Sequence, residues 1–412
     1  MLIMKGIVSY RSVPRILTLI DEFTALSISW KPHFSSVINW TLRLGLGLLK
    51  QVTPVSWDWV AIMDYSIDVG TKKALVILRV RLDIYQQRQG AVRLQDCECI
   101  GLHVTETSTG KIIAEKLTAT FEQSGRPVAI LKDGGYDLQK GVRLWQDSLA
   151  QVELIDDIGH VIANALKSEY EKTDPYQNFT QLISEGSARL RQTKFAYLIP
   201  PKLRTKGRFQ SISRLGDWSL VMMELFRIKG RAKEGSALQK LRQVFPKFTQ
   251  LRPFLSQFSE TTKIVSQIME KVKLQGLTRQ NNQECLKLLD ELPDESVVKI
   301  RIIDWFEKHN KVYQKLGGIP LIVSTDIIES LFGKFKYINE RSPHHDMNRS
   351  ALLIPALCGK INEDTIDSTF KLVSHKNLQQ WETENIPDTI QKKKRRFNRD
   401  NMEQKAGKIK VD

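Results

Sequence analysis

The sequence predicts an α/β chain: a mixed sheet flanked by helices, preceded by an N-terminal helical segment and interrupted by a large all-α insertion. Three observations predict it. Apolar runs suited to strands recur at residues 59–63, 73–82 and 97–105, joined by short connections. From residue 110, helix-spaced patterns alternate with further short apolar runs at 128–131 and 152–155. From about residue 171 to 319 the spacing is helical almost throughout.

Composition sets the bounds. With 412 residues, 41% of them hydrophobic, the chain has material for two or three units and a sizeable core. Lys and Arg number 62 against 46 Asp and Glu, a net charge of +16 and a pI near 9.5. That balance favours a polyanionic partner, nucleic acid before membrane. Of the four cysteines, Cys97, Cys99, Cys285 and Cys358, the first two alternate along a predicted strand and suit neither a zinc knuckle nor a disulfide, which points to a reducing, intracellular compartment, the cytoplasm. The first eight residues carry one Lys and too short an apolar run for a signal peptide. No stretch approaches the roughly 20 apolar residues of a membrane span.

In chain order, residues 1–53 read as an N-terminal helical, DNA-binding segment. Residues 12–20 have helical apolar spacing, Lys31-Pro32-His33-Phe34 breaks it, and Ser35 or Ser36 caps a second helix bearing Val37, Ile38, Trp40, Leu42 and Leu44. With Asn39 and Arg43 on its surface, the second helix gives the pair the outline of a helix-turn-helix. A plain helical hairpin packed on the main domain fits the same pattern. Residues 54–170 form the first part of an α/β core, with helices over 110–123, 137–149 and 158–170 between and after the strands. Gly134-Gly135 turns the chain sharply after the fourth strand.

The order βββαβαβα is that of a ribonuclease H-like fold, a mixed sheet covered by helices in which the first and fourth strands are neighbours. Residues 171–319 are the all-α insertion. Its cations, Arg204, Lys206 and Arg208 among them, suit a DNA groove or simply solvated helix faces. Residues 320–375 return to the core: an extended 321–324, a helix capped by Thr325 or Asp326 that runs through Glu329 to Lys336, and a C-terminal helix with Ile366, Phe370 and Leu372. Residues 376–412 read as a mobile basic tail, its run at 392–396 suited to phosphates.

Within this frame three carboxylates stand out. Asp64 follows the apolar first strand and Asp133 the apolar fourth, so both reach the carboxyl edge of the sheet, where sites form. Glu329 lies one turn into its helix. Two Asp and one Glu are hard oxygen ligands suited to two Mg²⁺ ions (Mn²⁺ as a substitute) held about 4 Å apart for phosphodiester chemistry. A lone Asp at a strand end is more often a cap or turn residue. Asp58, Asp68, Asp137 and Asp326 are set aside because only Asp64 and Asp133 directly follow apolar strands. Asp157 and His160 share a helix face and read either as support beside the metal site or as an N-cap with a packed histidine. Lys336 is two turns beyond Glu329 on the same face and, with Lys334, is placed to reach a DNA phosphate or to be a plain surface lysine.

Several segments resemble bacterial insertion-sequence DDE transposases. They are Trp59 to Asp64, the Leu131-Lys132-Asp133-Gly134-Gly135 turn, Asp157-Ile158-Gly159-His160, and above all Ser324-Thr325-Asp326-Ile327-Ile328-Glu329-Ser330-Leu331-Phe332-Gly333-Lys334-Phe335-Lys336. Ser35-Ser36-Val37-Ile38-Asn39-Trp40 with Arg43-Leu44-Gly45-Leu46 adds to the likeness. The resemblance implies a ribonuclease H-like core with a helical insertion and a DDE triad at Asp64, Asp133 and Glu329. It further implies two-metal cleavage and strand transfer of double-stranded DNA, a place near the site for Asp157 and His160, and action as a homodimer or higher oligomer at the bacterial nucleoid. Only about 50 residues precede the first catalytic strand, little room for a full end-recognition domain. Two other functions fit the acids and the charge: a nuclease for host DNA processing, and an inactive transposase-derived DNA-binding protein.

Overall fold

The computed structural model of the protein describes residues 1–69, 72–88, 90–147, 152–202, 212–339 and 347–409. By packing, the chain divides into two units: Met1–Arg88, Val92–Ile155 and Thr325–Asp412 form one, and Gln89–Ala91 with Asp156–Ser324 the other.

The first unit is built on a sheet of order β3-β2-β1-β4-β5, from β1 (Trp59–Val69), β2 (Lys72–Arg81), β3 (Cys97–Thr105), β4 (Ala129–Lys132) and β5 (Glu153–Asp156). β1–β2 and β2–β3 are antiparallel and β1–β4 is parallel, so the sheet is mixed, compatible with a ribonuclease H-like arrangement. β1 runs past its expected end at Met63. Its polar continuation hides the strand in the sequence, but the ladder to β2 carries on through Asp64↔Val76 and Tyr65↔Leu75.

Strand alternation sorts the core. Trp59, Ala61 and Met63 of β1 face α5 (Gly110–Ser124) and α6 (Tyr136–Asp147), burying Ile113, Leu117, Phe121, Val142 and Trp145. Phe121 meets Trp59 and Trp145 edge-on, at 6.0 and 4.9 Å between ring centres. Each fully buried side chain of this size contributes about 1.5–3 kcal/mol. Arg79 of β2, 3% exposed, ties the sheet to its surroundings: it donates to Glu98, to Thr53 O at 2.8 Å and to Ser124 O at 3.3 Å.

The N-terminal helices are α1 (Leu2–Gly6), α2 (Ser12–Phe23) and α3 (Phe34–Lys50), and a short α4 (Ile84–Gln87) follows β2. α3 is capped by His33, whose Nδ1 accepts from Ser35 N, rather than by Ser35 or Ser36 as expected. After the second unit come α14 (Asp326–Asn339), α15 (Leu353–Ala356), α16 (Glu363–Leu372), α17 (His375–Asn385) and α18 (Ile390–Ile409). α3 packs against α15, α16 and α17. Two glycines permit the approach: a Cβ on Gly45 would stand 1.8 Å from Leu352 O, and one on Gly47 2.5 Å from Thr369 Cβ.

The basic tail expected over 376–412 is helical through most of its described residues. α17 buries Leu378, and Ile386 just beyond it is buried as well. α18 is helical, and Lys393 stands 3.7 Å from Glu106 while Arg396 pairs with Asp388. Few apolar residues mark α17, but they sit where packing uses them.

The second unit is helical: α7 (Ile158–Tyr170), α8 (Asp174–Leu190), α9 (Ser213–Arg227), α10 (Ala237–Val244), α11 (Arg252–Gln275), α12 (Arg279–Leu289) and α13 (Val297–Lys315). α7, expected in the α/β core, packs here on α13. An aromatic cluster of Tyr170, Tyr176, Phe179, Phe254 and Phe258 joins α7, α8 and α11. The extended 321–324 makes an antiparallel bridge from Leu321 to Leu277.

Candidate functional site

The site is assembled by the parallel pairing of β1 with β4. The ladder runs Val60↔Ala129, Ala61↔Ile130, Ile62↔Leu131 and Met63↔Lys132. One residue further, Asp64 continues β1 and Asp133 is the first residue after β4, so each acid follows the last paired residue, Met63 or Lys132, of two adjacent strands spaced about 4.8 Å apart. By parity Asp64 lies on the face of β1 opposite Met63, away from α5 and α6, and Asp133 opens the turn after β4. α14 packs on β1, and its buried Ile328, Leu331, Phe332 and Phe335 stand outside the α5–α6 core. Glu329 is exposed in the first turn of α14, the helix packed on β1.

Each aspartate is oriented by backbone. Asp64 Oδ1 accepts from Tyr65 N at 2.6 Å, and Asp133 Oδ1 from Gly135 N at 2.8 Å. The second is an Asx turn, closed further by Gln139, which donates from its backbone to Gly135 O at 2.9 Å and from its side chain to Gly134 O at 3.2 Å. A Cβ at Gly135 would come 2.9 Å from Asp133 Oδ1, so the carboxylate would have to shift. Asp137, in the first turn of α6, accepts from Ser108 Oγ at 3.1 Å, and Lys73 Nζ donates to the same hydroxyl at 3.1 Å. This chain ties the exit of the Asp133 turn to β2. Burial pushes the Tyr65 phenol up, with the Asp137 charge adding to it.

Two residues here escaped the sequence reading. Lys132, 4% exposed, closes β4 beside Asp133, and the available signal was a charge ending an otherwise apolar run. Asp137 was set aside as a ligand, and its work in holding the turn depends on Ser108 and Lys73, which no local pattern links to it.

The remaining candidates are placed as follows. Asp157, 3% exposed, caps α7, accepting from His160 N at 2.8 Å, and His160 is half-buried. Both belong to the second unit. Next to them His309, fully buried, accepts from Asp156 N at 2.9 Å, lies 2.7 Å from Trp305 O through its other nitrogen, and stacks on Trp305. Lys336 is half-buried in the last turn of α14, and Lys334 lines a cavity on another side of that helix. Arg204, Lys206 and Arg208 lie outside the described residues.

Arg43 and Asn39 correct the expectation of an open DNA-reading surface on α3. Arg43 donates to Val373 O at 2.6 Å and Phe370 O at 2.7 Å, closing the C-terminus of α16, with its guanidinium over the Phe370 ring. Asn39 is half-buried, and its Oδ1 is buried without a hydrogen-bond partner among the described residues. The face that reads as polar in sequence is covered by helices more than 300 residues away in the chain.

The donor chemistry fits hard divalent cations: two carboxylates that follow paired residues of adjacent strands, each with one oxygen on a backbone amide. Among the described residues no three His, Cys, Asp or Glu side chains are grouped closely enough to hold one ion, so the fit rests on the aspartate pair.

No family model matches the chain, and no curated protein matches it. Among solved structures, a Drosophila P element transposase strand transfer complex is similar over 85% of this chain and 99% of that one, with a TM-score of 0.41 and 12% sequence identity.

Proposed function

We propose that the protein is a DDE transposase, a metal-dependent enzyme that cuts double-stranded DNA at the ends of a mobile element and joins the ends to a target. The observation that supports this reading best is the parallel pairing of β1 with β4 up to Met63↔Lys132, the residues that immediately precede Asp64 and Asp133. The likeness of the Glu329 segment to DDE transposases adds the third acid, on the helix packed against β1.

In this reading Asp64 and Asp133 would hold Mg²⁺, and Glu329 would complete the set. Bound Mg²⁺ supplies a polarised phosphate, an activated hydroxyl or water and a stabilised leaving oxygen. The chain's own part is placement. The Tyr65 and Gly135 amides fix the carboxylate orientations before substrate arrives, so little reorganisation remains for the reaction. Lys336, two turns beyond Glu329 on α14, takes a phosphate of the bound strand. Joining two ends requires two such sites, which makes a homodimer the smallest competent assembly.

The test is Asp64→Asn, which keeps the size and the hydrogen bond but removes the charge. The variant should lose Mg²⁺-dependent nicking of a duplex carrying the flanks of the gene while binding that duplex with nearly unchanged affinity. Cutting at the wild-type rate would overturn the assignment.

A further inference from the structure

A cavity of about 660 Å³ lies within the first unit, between α1, the turn around residues 93–95, α14 and the segment after α15. Its size is that of a small-molecule site. Three cationic side chains from three separate elements line it, Lys5 of α1, Arg93 and Lys334 of α14, against one carboxylate, Asp326. Lys5 and Lys334 are in no ion pair among the described residues. Ile327 and Leu357 add an apolar wall.

Lys5 and Arg93 are exposed and Lys334 half-buried, so the three cations sit at the open side of the cavity, where their summed field attracts an anion. The cations come from sequence positions far apart, so their meeting is a product of the fold and not of a basic run. We propose that this cavity binds a small organic phosphate: a phosphate group held by Lys5, Arg93 and Lys334, with an apolar or aromatic body against Ile327 and Leu357. The site is distinct from the carboxylate edge. On α14 it uses the side of Ile327 and Lys334, whereas Glu329 and Lys336 share another. It needs neither DNA nor divalent metal, so its failure and the failure of the strand-transfer reading are separable.

The experiment is calorimetric titration of the full-length protein, without DNA or Mg²⁺, using 1-naphthyl phosphate, 1-naphthol and inorganic phosphate as probes. The ester should bind saturably, about tenfold tighter than either fragment, and weaken with added salt. Lys334→Gln should weaken the ester about tenfold without changing naphthol binding. Asp326→Asn, which removes the opposing charge, should tighten it two- to threefold, a gain that a poorly folded variant would not give. Equal binding of naphthol and its phosphate, no saturation by millimolar ester, or unchanged affinity in both variants would overturn the proposal.

Discussion

Replacing Gly135 with alanine perturbs the placement of Asp133 without touching the carboxylate itself. The added Cβ would stand 2.9 Å from Asp133 Oδ1, where ordinary contact begins at 3.4 Å, so the carboxylate must retreat by about half an ångström. The same movement stretches the 2.8 Å bond from Gly135 N. Losing that bond costs about 1 kcal/mol of stability. A misplacement of 1 Å at a reacting centre can reduce the rate on the order of 100-fold, so half of that corresponds to roughly tenfold. We therefore expect Gly135→Ala to cut a labelled duplex about tenfold more slowly, with its urea midpoint only slightly lowered. Asp133→Asn is the companion: the amide oxygen still accepts from Gly135 N, the turn persists, and cleavage should vanish because the charge has gone. The assay is single-turnover strand cleavage in Mg²⁺. If Gly135→Ala cleaved at the wild-type rate, the idea that the Asx turn sets the acid's position would be refuted. If Asp133→Asn cleaved normally, Asp133 would not be a ligand at all.

Three further outcomes follow from the geometry. Gly45→Ala, whose Cβ would press on Leu352 O at 1.8 Å, should destabilise the first unit by about 3 kcal/mol, whereas Gly333→Ala on α14, with nothing within 4 Å, should stabilise by about 0.5–1 kcal/mol; urea unfolding of the two variants checks the opposite signs. His103, within 2.8 Å of Thr120 Oγ1, is held down to about 4, first by burial and then by Lys116, against about 6.5 in the unfolded chain. The unfolded state takes up the extra proton between those values, so stability should fall as pH drops from about 6.5 to 4 and level off below, and His103→Gln should flatten that part of the profile. Replacing the cations at 392–396 of α18 with glutamine should reduce the salt dependence of DNA binding by about 0.9 in log–log slope for each phosphate that α18 no longer neutralises; an unchanged slope would remove α18 from the interface.

How far the sequence announces this structure depends on where the information resides. β3 and α7 fall at their expected residues because period-2 and period-3.6 patterns are local. The extension of β1 past Asp64 does not, because polar residues keep their place in a strand through pairing with β2, a non-local interaction. The adjacency of β1 and β4 was legible, because the order of elements places those two strands together. The role of Arg43 was not. An exposed-looking arginine on an amphipathic helix resembles a DNA contact until the backbone of α16, in another part of the chain, comes to occupy it. α17 fails for a related reason: Leu378 and Ile386 are too sparse for a pattern, yet both are fully buried.

The insertion raises a physical question of its own, since a helical block stands between the strands carrying the aspartates and the helix carrying Glu329. The chain leaves the first unit after Ile155 and returns at Thr325. Just inside those points Ile158 N donates to Val323 O at 3.0 Å, so the two stems of the insertion are joined. Loop-closure entropy grows only with the logarithm of length, and a closed stem makes the return point nearly independent of what lies between. Trp305 and His309 of α13 fix the departing stem by bonding the Asp156 backbone on both sides, at 2.9 Å each. Within the second unit the two stems of the insertion are therefore fixed to each other at its base. A block of helices of this size can be accommodated because a closed stem adds little closure cost however long the chain between its ends.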